Sequence, residues 1–293
     1  MCASHFPQNR WGAYVPTRSE TIVTEHDIFF FDLRGYLFLE GALSIQEVAD
    51  MNAILDSAPP LTPGDWWGNV HAHSYRDNDG LNLQQIYEAG EPFERLIDHP
   101  AWIEKVKCFI GGEGTFDWNH GPLFIDENFA NLRAPGEAIG MHSGGHIGLI
   151  RNQFRVLNGK FHCGQVNVLM ALSDIGPGDG GTLLIPGSHK SNFIHPEFET
   201  YKMRGERAGE IPEGAIEIQM NAGDVLLFVD SICHGSLKRS NPGYRRTVVY
   251  RYGPSWGNFR HNYQVSDDLL ARLTPERLGI VKPRSHWPPE TVE

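Results

Sequence analysis

Cysteine is scarce in this chain, with four in 293 residues, at positions 2, 108, 163 and 233, and no Cys-x-x-Cys pair among them. So sparse a set argues against a disulfide framework and fits free, packed thiols in a reducing compartment. Basic charge is the next deficit. Lys and Arg number 25 against 36 Asp and Glu, a formal net charge of −11. A phosphate backbone is repelled by such a field unless a local basic patch opposes it, so polymeric nucleic acid is not an expected partner. Long hydrophobic runs are missing too. No stretch approaches the roughly 18 apolar residues of a membrane span, and Met1 to Arg18 lacks the apolar core of a signal peptide. No repeat or low-complexity tract interrupts the chain. What is present, 40% hydrophobic residues, suffices for one compact domain with insertions. The expected setting is the cytoplasm, with no membrane, and the expected form a monomer or homodimer acting on a small-molecule substrate.

Periodicity and turn chemistry divide the chain. Thr24 to Leu33 reads as a helix, and Tyr36 to Glu40 as a strand. Ser44 followed by Glu47 has the spacing of a capping box and opens a helix running to about Asp56. Residues 58–120 are rich in Pro, Gly and Trp, with helical patterns over Asn82 to Ala89, Phe93 to Ile97 and Trp102 to Phe109. This stretch is expected to be a helical layer and substrate lid. From 121 to 253 the pattern changes to short β segments. Phe154 to Leu157 and Lys160 to Ala171 flank Asn158-Gly159, a dipeptide suited to the two positive φ angles of a tight hairpin. Further strands are expected over Thr182 to Pro186, Ala215 to Met220, Asp224 to Asp230 and Arg246 to Tyr252. Short strands at this spacing imply a mainly β fold with flanking helices, a double-stranded β-helix or jelly-roll of cupin type. Residues 254–293 form a helical tail, with Ser266 to Val281 its regular part.

Of 14 histidines, two stand in a pattern. His142 lies in Gly140-Met-His-Ser-Gly-Gly-His146, just before the strand-rich half. His234 follows the apolar strand Val225-Leu-Leu-Phe-Val and is embedded in Cys233-His-Gly-Ser236. Arg245 opens the next β segment, where a planar guanidinium can grip a carboxylate with two parallel hydrogen bonds, as Lys cannot. On a strand, Gln165, Asn167 and Leu169 share one face, so that a buried amide there can bind the near end of an oxo-acid; a polar network inside the barrel is the competing reading.

These residues resemble the phytanoyl-CoA dioxygenase family of Fe(II)- and 2-oxoglutarate-dependent enzymes. The resemblance runs from the Thr24 to Ser44 entry to Tyr252, and its most specific stretch is Asp179-Gly-Gly-Thr-Leu-Leu-Ile-Pro-Gly-Ser-His-Lys190. It implies that His142 and His234 bind iron, that Ser236 and Arg245 hold the far carboxylate of 2-oxoglutarate, and that dioxygen is the oxidant. One position departs from the pattern. Where the family places a ligating Asp, this chain has Gly144, so the triad of two histidines and one carboxylate lacks its acid. The same His-x-Gly feature resembles the halogenases of this class, in which chloride or bromide takes the vacant position. That resemblance implies decarboxylation of 2-oxoglutarate to succinate, hydrogen abstraction from an unactivated carbon, and delivery of halogen in place of hydroxyl. Gly144 and Ser143 are then the halide-side residues. Two alternatives stay open: a hydroxylase whose carboxylate arrives from elsewhere, with Asp126, Glu127 and Asp174 as candidates, and a ligand-binding jelly-roll without catalysis.

Substrate contacts are expected from Trp66, Trp67, His71, His73, Arg76 and Trp118 in the lid, and from Arg133, His146, Arg151 and Arg155 around the metal loop. Aromatic planes beside arginines suit a small polar metabolite, with nucleotides and nucleosides among the candidates; solvated arginines and core tryptophans are the plainer explanation. Cys233, although it adjoins His234, reads as packing, and His189 and Lys190 as parts of a structural turn.

Overall fold

The computed structural model describes residues 22–75, 79–111, 123–144, 152–255 and 263–281. In chain order the elements are α1 (Glu25–Arg34), β1 (Tyr36–Leu39), α2 (Ile45–Ser57), β2 (Trp66–Trp67), β3 (Val70–His73), β4 (Leu81–Gln84), α3 (Glu91–Glu94) and α4 (Ile103–Gly111). Then come β5 (Phe124–Arg133), β6 (Ile139–His142), β7 (Val156–Leu157), β8 (Lys160–Phe161), β9 (Val166–Ala171), β10 (Thr182–Leu184) and α5 (Phe198–Tyr201). The chain continues through β11 (Ile216–Ile218), β12 (Val225–Val229), β13 (His234–Ser236), β14 (Arg245–Gly253), α6 (Asp267–Arg272) and α7 (Pro275–Val281).

Both long N-terminal helices begin where side chains satisfy their free amides. Thr24 and Asp27 cap α1 reciprocally, and Ser44 and Glu47 cap α2. Strand formation follows burial. All five residues of β12 and all six of β9 are buried, the signature of strands covered on both faces. The large sheet has the antiparallel order β1-β12-β9-β14-β5-β4-β3-β2, and the small one the order β11-β10-β13-β6. Successive strands alternate between the sheets: β5, β9 and β12 lie in the large one, while β6, β10 and β13, which follow them, lie in the small one. This is the jelly-roll, mainly β with flanking helices, that the sequence predicts.

Alternation along β14 separates core from cavity. Val248, Tyr250 and Tyr252 point outward to the helices; the Tyr250 hydroxyl donates to the Phe93 carbonyl at 2.7 Å and the Trp102 indole donates to the Tyr252 oxygen at 3.3 Å. Arg245, Thr247, Val249 and Arg251 point inward and line the cavity between the sheets. Behind the large sheet, Phe31 of α1 stacks on Phe109 of α4 at 3.7 Å. Gly35 ends α1 with φ +83°, and a Cβ there would lie 2.5 Å from the His189 ring, so glycine serves both the turn and the close approach.

Residues 66–84 correct one expectation. The segment Asn82 to Ala89 is not a helix: Asn82 to Gln84 belong to β4, and only Ile86–Ala89 form a 3-10 turn. β2, β3 and β4 extend the large sheet, with β4 paired to β5 from Leu81↔Leu132 to Gln84↔Phe129. The expected strand from Lys160 to Ala171 is two, β8 and β9, and the tail helix divides into α6 and α7, with Pro275 opening the second. The Asn158-Gly159 turn has φ +52° and +73°, as the hairpin requires.

Candidate active site

His142 closes β6 and His234 opens β13, and the two are cross-strand partners with ring centroids 4.0 Å apart. Each ring is oriented by its own backbone. His142 Nδ1 lies 3.1 Å from the Gly140 carbonyl and His234 Nδ1 lies 2.7 Å from the Ile232 carbonyl. A carbonyl only accepts, so both Nδ1 atoms carry the proton and both Nε2 lone pairs are available to a metal. Burial, and then the neighbouring His234 ring, hold His142 well below the ordinary imidazole value, which keeps it a neutral ligand.

Two residues along β13 from His234, Ser236 accepts a hydrogen bond from Arg133 Nη1 and another, at 3.0 Å, from the Ile139 amide. Arg133 and Arg245 are cross-strand partners on β5 and β14, 1% and 3% exposed. Arg245 Nη1 donates to the Gly180 carbonyl, and its Nη2 reaches Asn131 Oδ1 at 3.4 Å. Neither guanidinium meets a carboxylate among the described residues, and both Nε atoms are buried without a partner. Burial pushes Arg133 down to about 10, and burial together with Arg133 and Arg239 lowers Arg245 well below its usual value. Two buried, adjacent, unpaired cations are costly by themselves and form a receptor for an anion. Imidazole nitrogens at one side and a guanidinium pair beyond Ser236 thus fit a metal chelated by a dicarboxylic oxo-acid. Arg246, on the opposite face of β14, is spent on Asp56 at 2.6 Å.

The loop after His142 carries Ser143 at φ +61° and Gly144 at φ +102°, and the Gly144 amide donates to the Ser231 carbonyl at 2.9 Å. Among the described residues no group of three His, Cys, Asp or Glu side chains is placed to hold a metal ion. The three carboxylates considered from the sequence are engaged elsewhere. Asp126 accepts from Gln165 Nε2 at 3.1 Å, Glu127 pairs with Arg251 at 2.7 Å, and Asp174 accepts the Ala222 amide at 2.8 Å. Sequence reasoning missed Asp230, which lines the cavity, accepts from Asn167 Nδ2 at 3.1 Å and lies near enough to favour a charged His142. Its only sequence signal is its position at the end of the apolar β12.

The cavity is about 320 Å³ and joins both histidines, both buried arginines, Ser236 and Asp230. Gln165, just before β9, and Asn167, within it, bond to Asp126 and Asp230 rather than to Arg245. Trp66 packs on His71 at 4.6 Å, and His73 packs edge-on against Tyr75, a cavity-wall residue, at 4.7 Å. Arg76, Trp118, His146 and Arg151 lie outside the described residues. Arg133, expected at the substrate, lies instead beside Arg245. Cys233 is buried packing, as expected.

Residues 31–247 match the family model of phytanoyl-CoA dioxygenase (PhyH). The chain belongs to the PhyH family. It is an iron- and 2-oxoglutarate-dependent oxidoreductase. Among its relatives, the dioxygenase cdmD of Talaromyces verruculosus is 25% identical over 250 residues, covering 83% of this chain and 76% of that one. The dioxygenase aneA of Aspergillus aculeatus is 25% identical over 199 residues, 67% of this chain and 60% of that one. In fold the chain is similar to HygX from Streptomyces hygroscopicus, solved with nickel and 2-oxoglutarate, at TM-score 0.64 and 22% identity over 84% of this chain and 94% of that one. It is also similar to EctD from S. alaskensis, at TM-score 0.58 and 17% identity over 85% and 82% of the two chains. Among the described residues no helix is long and apolar enough to cross a membrane.

Proposed function

We propose that this PhyH-family enzyme is a halogenase acting on an unactivated C–H bond of a small polar metabolite. The observation that carries the reading is the pair of oriented imidazoles with glycine at the position where the family's carboxylate would stand. His142 and His234 hold Fe(II) through Nε2. Arg245, with Arg133 and Ser236 beside it, holds the far carboxylate of 2-oxoglutarate. Gly144 adds no anionic ligand, so charge balance favours chloride or bromide on that side, against the Ser143 hydroxyl. Bound iron, 2-oxoglutarate and dioxygen supply the oxidising power. The balance is substrate C–H, halide, 2-oxoglutarate, dioxygen and one proton giving substrate C–halogen, succinate, carbon dioxide and water. The protein's own part is to fix the two imidazoles, neutralise the dianion and shape the cavity that excludes bulk water. HygX has been solved with hygromycin B bound, which supports a small molecule as the substrate class. Buried free thiols at Cys108, Cys163 and Cys233 suit the cytoplasm.

The test is turnover of a metabolite pool with iron and 2-oxoglutarate in buffer holding chloride and bromide, against halide-free buffer. Halogenation gives products with the paired isotope patterns of chlorine and bromine that vanish without halide. Products of unchanged mass in both buffers overturn it. A second reading, hydroxylation, is favoured by Asp230 in the cavity wall, which would then supply the carboxylate. It predicts halide-independent products carrying oxygen from labelled dioxygen.

A further inference from the structure

The inner face of the large sheet has a second polar end, which the metal and oxo-acid do not use in the halogenase reading. Arg251 stands six residues from Arg245 on the same strand, about 20 Å along it at the usual rise, and both line the cavity that holds the histidine pair. At this end the register places Asn167 of β9 opposite Arg251 of β14, and Arg251 opposite Glu127 of β5. Their side chains form a belt of two hydrogen-bonded groups, brought side by side by that register. Asn167 Nδ2 donates to Asp230 at 3.1 Å, Arg251 to Glu127 at 2.7 Å, and Gln84 Nε2 to Glu127 at 3.1 Å and to the Tyr75 hydroxyl oxygen at 2.7 Å. Asp230, Arg251 and Tyr75 open onto the cavity, and Arg251 also lies over the Phe129 ring at 5.2 Å.

The belt is unfinished. Among the described residues, Asn167 Oδ1, Gln84 Oε1 and Arg251 Nε are buried with no hydrogen-bond partner, although Asn167 is 1% and Gln84 0% exposed. Buried polar atoms are rarely left so, because each unmet group costs its desolvation. Two of the three are acceptors. The belt also carries two carboxylates against one guanidinium, and that guanidinium is already paired.

We infer that this belt is the substrate subsite and that it takes the hydroxyl- or ammonium-bearing end of an unphosphorylated small molecule, such as a polyol, amino sugar or nucleoside. The inference rests on the oxidoreductase reading of the histidine pair and deepens it. A donor-rich ligand completes Asn167 and Gln84, whereas a phosphate meets two carboxylates and, among the described residues of the belt, a guanidinium already paired with Glu127. Phosphorylated nucleotides are thereby excluded from the expected substrates, and nucleosides are kept.

The test uses the whole protein with Fe(II) and 2-oxoglutarate under anaerobic conditions. Binding is read by calorimetry and by perturbation of the iron–2-oxoglutarate charge-transfer absorption. The probes are matched pairs: glucosamine and glucosamine 6-phosphate, and adenosine and adenosine 5′-monophosphate. The expected result is that an unphosphorylated member binds about tenfold or more tightly than its phosphate. Glu127→Gln should narrow that ratio, and Gln84→Leu should weaken the unphosphorylated member about tenfold, the value of one buried hydrogen bond to a donor-rich ligand. Both variants should form the charge-transfer absorption normally, and either alone decides the matter should the other fail to fold. Equal or tighter binding of the phosphates, no binding by any probe while the absorption forms, or an unchanged ratio in the variants overturns the subsite. Failure of the absorption itself in the unmodified protein instead overturns the oxidoreductase site on which it rests.

Discussion

At Gly144 the backbone φ of +102° lies where L side chains are rarely found, so the residue is fixed by conformation as well as by chemistry. Putting the family's acid there is therefore not a simple restoration. Gly144→Asp is expected to lower stability by about 1–2 kcal/mol and to suppress halide use. Thermal unfolding and product mass read these separately, and a variant of unchanged stability would contradict the strain argument. Arg245 makes a second case. Arg245→Gln should weaken 2-oxoglutarate about ten- to hundredfold, the worth of a charge-assisted hydrogen bond, seen in titration of the charge-transfer absorption. His142, His234, Ser236 and Arg245 were legible because each sits in a local pattern. The place of Arg133 beside Arg245 was not, nor was Asp230, since their relevance arises only when strands far apart in sequence pair, as in Arg133↔Arg245.

Among the elements, α1, α2 and the Asn158-Gly159 hairpin could be read because capping and turn chemistry are local. Strands β2 to β4 could not. Val70–His73 and Leu81–Gln84 put His71, His73, Asn82 and Gln84 on the cavity face, and polar inward residues remove the apolar alternation by which a half-buried strand is recognised. Ser44→Ala should cost about 1 kcal/mol through loss of the α2 cap, measured by denaturant unfolding. His189 joins α1 to the turn after β10. Burial, outweighing the bond its Nε2 donates to the Asp32 carbonyl at 3.0 Å, pushes it down from 6.5 to about 4. A folded value below the unfolded one means that the contribution is complete above pH 6.5 and is lost as pH falls toward about 4. The loss is of order 3 kcal/mol. Unfolding free energy measured across that range should flatten in His189→Gln; an identical slope would place the proton uptake elsewhere.

For the whole molecule, the antiparallel sheet order makes β2, β3 and β4 three strands of the large sheet, beside β5. Replacing residues 66–84 by a short linker would bare the edge of β5, and the expected result is aggregation or loss of cooperative unfolding. A soluble protein with an unchanged melting transition would contradict a structural role for these strands. The same architecture places between the two sheets a cavity lined by the oriented imidazoles and by the guanidiniums of Arg133 and Arg245, with the dianion and substrate proposed above as its occupants. The account turns on what occupies the side of the metal facing Gly144. The direct measurement is a crystal structure with Fe(II), 2-oxoglutarate and bromide, with anomalous scattering recorded at the bromine edge. The account predicts a bromide peak coordinated to the iron beside Gly144, with His142 and His234 as the only protein ligands; a carboxylate oxygen of Asp230 in that place, and no bromide, would contradict it.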